Sequence, residues 1–326
     1  MRRSISALGK YALTILTIIY LSLATFGTPV FATTVSPEII TQINSLPSNS
    51  NEYLLILKKL DDPHPASTFA QAVTLERSYN TFESIHLMEN LAKQFPEAPY
   101  LMWRLSRLYW VYAENLDIND KENRLTNFQT GFDWAIKGIT TNPQCAECYL
   151  FKFGNLGRLS TTKGLTNSIS AARELSETIA KALELGPKHS DTSYNKELAN
   201  AYYASSVFYR IVPDWLIIKW IAGVRGDKLI SLSHIKKATE ISPARIDYMV
   251  ELGAIYLCLA NDKQMEEMRP LGIKTLEKAI SMKQIMPTDT LDKQYAAGFL
   301  KDSAGACGFS RDGIVDLDNK KFEDKQ

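Results

Sequence analysis

The sequence is poor in most of the residues that build reactive centres. Its 326 residues hold four cysteines and four histidines. The histidines, His64, His86, His189 and His234, are scattered without the spacing of a metal-ligand set and read as surface or packing residues. No G-x-S-x-G, H-E-x-x-H or G-x-x-x-x-G-K-[ST] motif occurs. GVRGDK at 223–228 has the wrong glycine spacing for a phosphate loop, and DINDKEN at 117–123 has Glu122 where a calcium loop requires glycine. An excess of charge is also missing. With 37 basic and 36 acidic residues the chain lacks the basic domain that nucleic acid requires. Beyond the N-terminal segment, no apolar run approaches the roughly 20 residues of a membrane span. These absences disfavour an enzyme and predict neither cofactor nor metal.

What is present begins at the N-terminus. Arg2, Arg3 and Lys10 precede an uncharged run from Tyr11 to Gly27, and Val30 and Ala32 are small residues at −3 and −1 of a cleavage site. This order predicts a secretory signal peptide over 1–32, cut after Ala32, with an uncleaved anchor as the alternative. The remainder carries 34 basic and 36 acidic groups and reads as a soluble, periplasmic or otherwise exported protein. In an oxidising compartment the four cysteines can pair. CAEC at 145–148 has no strand context for thioredoxin-like chemistry, no following histidine for haem (Tyr149 stands there) and no second ligand pair for zinc. A structural Cys145–Cys148 bridge or two plain thiols remain.

Apolar residues recur at i, i+3, i+4 and i+7 along most of the chain, the pattern of amphipathic helices. Prolines at 96, 143, 187, 243 and 287 punctuate them at intervals of 47, 44, 56 and 44 residues. Before four of these prolines stands the same triplet: Ser84, Met88 and Leu91; Gly131, Ala135 and Gly138; Leu175, Ile179 and Ala182; Ser231, Ile235 and Ala238. Gly272, Leu276 and Ala279 repeat it a fifth time. ELANAYY (197–203) and ELGAIYL (251–257) are matching partner helices, as are the segments around Leu105-Ser106 and Phe153-Gly154. Small residues let paired helices approach, and each proline stops the second helix. The pattern predicts an all-α, tetratricopeptide-like superhelix of helical hairpins, an α-solenoid, over residues 66–304.

Units of 44 to 56 residues exceed the standard 34, which predicts long insertions between paired helices at 112–126, 159–170 and 207–227. The last is rich in Trp, Ile and Leu and is expected to pack over the array. Residues 33–65 form an N-terminal extension with a short helix near 51–60. A helix near 289–300 caps the array, and 305–326 is a mobile tail.

First helices line the concave face of such an array. Counting the small residue as the eighth of each unit, inward positions give Tyr100, Trp103, Arg107 and Trp110, then Asn155 and Arg158 with Lys152 at the edge, then Lys196, Asn200 and Tyr203. Aromatic area and guanidinium forks suit a partly apolar ligand ending in a carboxylate. The competing reading is that the aromatics pack between repeats and the charges solvate the groove.

The repeat pattern, the long units and the strings NLGRLS (155–160), GVRGDK (223–228) and RIDYMVELG (245–253) resemble an exported bacterial tetratricopeptide family. That family is akin to the T component of TRAP transporters and to the regulator-of-microtubule-dynamics proteins. The resemblance implies an all-helical periplasmic protein that binds a partner protein or peptide or assists a transporter, with a small organic acid as the alternative ligand. Lys196 and Asn200 match the Lys and Asn with which peptide-binding tetratricopeptide proteins clamp a C-terminal carboxylate. Unlike the T component, this chain has no cysteine to carry a lipid near the cleavage site.

Overall fold

The second helix of four of the five hairpins stops where its proline demands. In the computed structural model, which describes residues 63–190, 192–214, 216–262 and 265–310, four such helices end two residues before Pro96, Pro143, Pro187 and Pro243. The hairpins are α1 (Pro63–Arg77) with α2 (Thr81–Gln94), α3 (Pro99–Asn115) with α4 (Lys121–Thr141), and α5 (Ala146–Lys163) with α6 (Leu165–Leu185). Then come α7 (Glu197–Ile211) with α9 (Lys228–Ile241), interrupted by α8 (Leu216–Ala222), and α10 (Ile246–Asp262) with α11 (Met268–Ser281). α12 (Asp289–Lys301) and a 3-10 turn at Ala304–Ala306 close the array. Each helix packs on its hairpin partner, and α3 on α5, α7 on α10 as neighbouring units stack. The protein is an all-α, tetratricopeptide-like solenoid.

All fifteen triplet residues are buried. Their sizes explain the stacking. A Cβ added at Gly131 would overlap the Asn155 carboxamide of α5, and one at Gly138 would overlap Cys148. Polar caps start several helices: Asp120 accepts from the Asn123 amide, and Asp227 from Leu229 and Ile230.

Three expectations need correction. The extra residues of the second and third units do not form insertions at 112–126 and 159–170. They lengthen α3, α4, α5 and α6 to 17, 21, 18 and 21 residues, joined within hairpins by residues 116–120 and by Gly164 alone. Helix continues because the added turns bury their own apolar cluster of Ala113, Phe128 and Leu159, with Trp110, Leu125 and Phe132 against it. Arg124 then caps the end of α3, donating to the carbonyls of Ala113 and Leu116 at 3.0 and 3.3 Å. The insertion at 207–227 is real, but α8 leaves three apolar side chains outside: Leu216 is 74%, Trp220 85% and Ile221 55% exposed. Ala222 lies buried where α8 packs on α6, and a seven-residue helix offers only one face to such a contact. Of the segment 305–326 expected to be mobile, residues 305–310 are instead fastened to the array by Cys307, Phe309 and three backbone carbonyls. The expected signal segment 1–32, the expected short helix near 51–60 and residues 311–326 lie outside the described residues.

All four cysteines pair. Cys145–Cys148 closes the first turn of α5, and Cys258–Cys307 ties the C-terminal segment to α10 across a separation of 49 residues. Among the described residues no helix is long and apolar enough to cross a membrane.

Candidate functional site

The residues expected to line the groove fall into two groups. Tyr100 and Trp103 are buried, beneath the connection between α6 and α7. In that connection the His189 ring lies 4.7 Å from the Trp103 ring and 6.0 Å from Tyr100. Its Nε2 lies 3.1 Å from an Arg104 guanidinium nitrogen. Glu147 holds the connection from below, accepting the backbone N–H groups of Lys188 and His189 at 2.8 and 3.0 Å. Arg104 is itself fully buried, ion-paired to Glu76 and hydrogen-bonded to the Tyr100 hydroxyl. Trp103 stacks on Phe151 of the next hairpin at 5.9 Å. Asn155 is also fully buried, donating to the Ser106 backbone carbonyl and hydroxyl and so joining α5 to α3.

The second group is half-buried. The Arg107 side chain, 15% exposed, bridges Glu76 of α1 and Glu197 of α7 at 3.5 and 3.1 Å. Arg158, 19% exposed, pairs with Glu114 of α3 at 2.6 Å. Lys152 pairs with Glu174 at 2.7 Å. Trp110 lies against Gly154, where a Cβ would stand 3.4 Å from the indole nitrogen. Further along, Tyr203 stacks on Tyr248 at 5.0 Å, and Asn200 accepts from the Tyr248 hydroxyl. Burial, opposed by the nearby Arg245 charge, pushes the Tyr248 phenol well above its ordinary value, so it remains a proton donor to Asn200. Lys196 points elsewhere. Its ammonium donates to the Ile241 carbonyl at 3.3 Å, at the end of α9.

Arg107, Trp110, Asn200, Tyr203 and Arg158 thus each keep part of their surface in solvent, on three first helices, α3, α5 and α7. The structure separates them from the buried Tyr100, Trp103 and Asn155. The residues that do most of the fastening, Arg104, Glu76, Glu147, His189 and Glu197, do not follow from the inward-position rule. A signal for part of them exists. The residue two before the small one is charged in every well-matched first helix: Arg104, Lys152, Glu197 and Glu251. Three of these are almost completely buried and all four are ion-paired.

At the other end of the array Arg210 of α7 is 1% exposed and makes a two-pronged pair with Glu251 of α10 at 2.8 and 2.7 Å. Its remaining donors take the carbonyls of Ala306, Cys307 and Phe309 at 2.9 to 3.0 Å. Phe309 sits edge-on to Tyr295 and Phe299, each at 5.0 Å. Among the described residues no group of three or more His, Cys, Asp or Glu side chains is placed to hold a metal ion.

Residues 68–196, from α1 to the edge of α7, match the family model for regulator of microtubule dynamics protein 1-3. No curated protein matches the chain. Among solved structures it is similar to a thermophilic TPR protein of Thermus thermophilus, at 12% identity and a TM-score of 0.48, over 72% of this chain and 99% of that one. With five stacked helical hairpins among the described residues and the same buried triplet in the second helix of each, the chain is a tetratricopeptide-like repeat protein.

Proposed function

We propose that this is an exported, non-catalytic binding protein of the periplasm or an equivalent compartment, which holds a partner protein or peptide across α3, α5 and α7. The observation that carries this reading is the half-buried strip of Arg107, Trp110, Arg158, Asn200 and Tyr203. It offers aromatic area beside two guanidinium groups that keep part of their surface in solvent. Each of those arginines is already paired within the array, so an acidic partner competes with Glu114 for Arg158 and with Glu76 and Glu197 for Arg107. A charge shared in this way favours selective, exchangeable contact rather than a permanent one. The alternative ligand, a small organic acid delivered to a TRAP-type transporter, asks for an enclosed pocket. Each residue of the strip keeps part of its surface in solvent. The shallow depression lined by Glu266, Arg269, Ile273 and Glu277 belongs to α11 and its approach, and no residue of the strip lines it.

A photo-crosslinking residue at Val207, one turn beyond Tyr203, tests the strip in cells expressing the full chain. The expected result is a discrete crosslinked species that Arg158→Ala weakens and that is missing when the same residue is placed at Ile136 on α4. Equal crosslinking from both positions would overturn the reading.

A further inference from the structure

α8 leaves three large apolar side chains in solvent. Leu216 is 74% exposed, Trp220 85% and Ile221 55%. Leu216 and Trp220 are one turn apart and share a face, while Ala222 is buried. At the start of α9, Leu229 and Ile230 extend the exposed apolar residues, at 61% and 37%. The segment is held in this pose at its base. The Gly226 amide donates to Pro213, the Asp227 amide to Tyr209, and the buried Lys228 ammonium to the Arg210 carbonyl at 2.7 Å. A Cβ at Gly226 would overlap the Val212 carbonyl, so the two ends of the insertion meet as closely as backbone allows.

The charges around this face say what covers it. Lys219 is exposed and flanks Leu216 and Trp220 on the same short helix. Arg173 of α6 is exposed, with its guanidinium against Gly223 at the end of α8. Arg225 is 43% exposed and pairs with Asp214. Glu174, the neighbour of Arg173, is taken up by Lys152. The apolar face is thus edged by cations, and it stands outward as side chains on a helix rather than as a groove. Tryptophan with flanking lysine is the chemistry of the lipid headgroup boundary, where the indole sits amphipathically and the ammonium reaches the phosphates. A deformable bilayer also accepts a convex wedge without a matching cavity. We propose that α8 docks the protein peripherally on an anionic lipid surface. Trp220, Leu216 and Ile221 enter the acyl boundary, and Lys219 and Arg173 face the headgroups. This docking is independent of the strip on α3, α5 and α7.

The N-terminal apolar segment of the full chain can itself meet lipid, so the test must read α8 alone. Tryptophan emission of the full chain is followed on vesicles of phosphatidylcholine with brominated acyl chains, with and without phosphatidylglycerol. Trp220→Phe preserves the apolar face but removes the reporter. The expected result is quenching on phosphatidylglycerol vesicles that falls in Trp220→Phe and weakens with added salt. Changing Leu216 and Ile221 to Ser together should raise the lipid concentration for half-quenching by about tenfold or more. Both residues are exposed, so helix content by circular dichroism should stay unchanged. Identical quenching in wild type and Trp220→Phe would overturn the proposal. So would Trp220 emission already shielded from acrylamide before vesicles are added, which would mean that a protein surface covers α8.

Discussion

Two buried arginines do comparable work at opposite ends of the array. Arg104 on α3 and Arg210 on α7 each meet a carboxylate of a neighbouring unit, Glu76 or Glu251, and each helps fasten a non-helical stretch of chain. Arg104 meets the connection between α6 and α7 through a side chain, the ring of His189. Arg210 meets the C-terminal segment through three backbone carbonyls. The connection at the Arg104 end is held through its backbone as well, by Glu147 on the Lys188 and His189 amides and by the Glu197 amide on the His189 carbonyl. At the C-terminal segment, residues 302–310, the chain adds a disulfide and an aromatic seat for Phe309.

The sharpest way to break the comparison is Arg210→Ala. It leaves the Glu251 carboxylate buried and three carbonyls without their donor, so stability should fall by about 3–5 kcal/mol in urea titration. A loss under about 1 kcal/mol would show that water replaces the guanidinium. Next comes the disulfide. In the chain-entropy account, Cys258–Cys307 closes a long loop worth at most about 4 kcal/mol, against about 1.5 for the short Cys145–Cys148 loop. Replacing Cys258 and Cys307 together by Ser should therefore reproduce most of the destabilisation caused by full reduction, measured by the midpoint of denaturant unfolding. Equal effects of the two bridges would contradict this. His189→Ala should cost about 2 kcal/mol by removing the ring between Trp103 and Arg104. It should also shift tryptophan emission to the red, a signature that Arg210→Ala should not share to the same extent.

The smallest effect concerns acid. His234 lies half-buried between Tyr202 and Tyr209, with Ser205 at 2.9 Å and the Lys237 charge nearby. Burial first, then Lys237, lowers its pKa below the ordinary 6.5. A base with a depressed folded pKa binds protons more readily when unfolded. Stability is then full above about pH 6.5 and falls as pH drops toward the folded value. His234→Gln should flatten the stability curve in that window by roughly a few tenths of a kcal/mol, seen as a smaller difference between thermal midpoints at about pH 7 and pH 5.5.

Periodicity made the hairpins legible, because a helix that buries one stripe must repeat its apolar residues at a fixed angle. The proline stops and the small-residue triplets were legible for the same reason. The extra length of α3 to α6 was not, since Phe128 and Leu159 are distant in sequence and reveal their shared cluster with Ala113 only once folded. The candidate face was legible by position but not by exposure. Tyr100 and Trp103 occupy inward positions, yet the connection carrying His189 closes over them. Lys196 matched a carboxylate clamp by register, and its ammonium instead meets the end of α9.

The sequence by itself determined the helices, their pairing and their stops, because these follow from local sterics and a regular period. The tertiary structure alone decided which charges are consumed. Glu197 and Arg107, Glu251 and Arg210, and Cys258 and Cys307 meet across 41 to 90 residues of chain. A side chain facing inward on one helix becomes a site or a fastener according to what another unit places against it, and no local pattern carries that information.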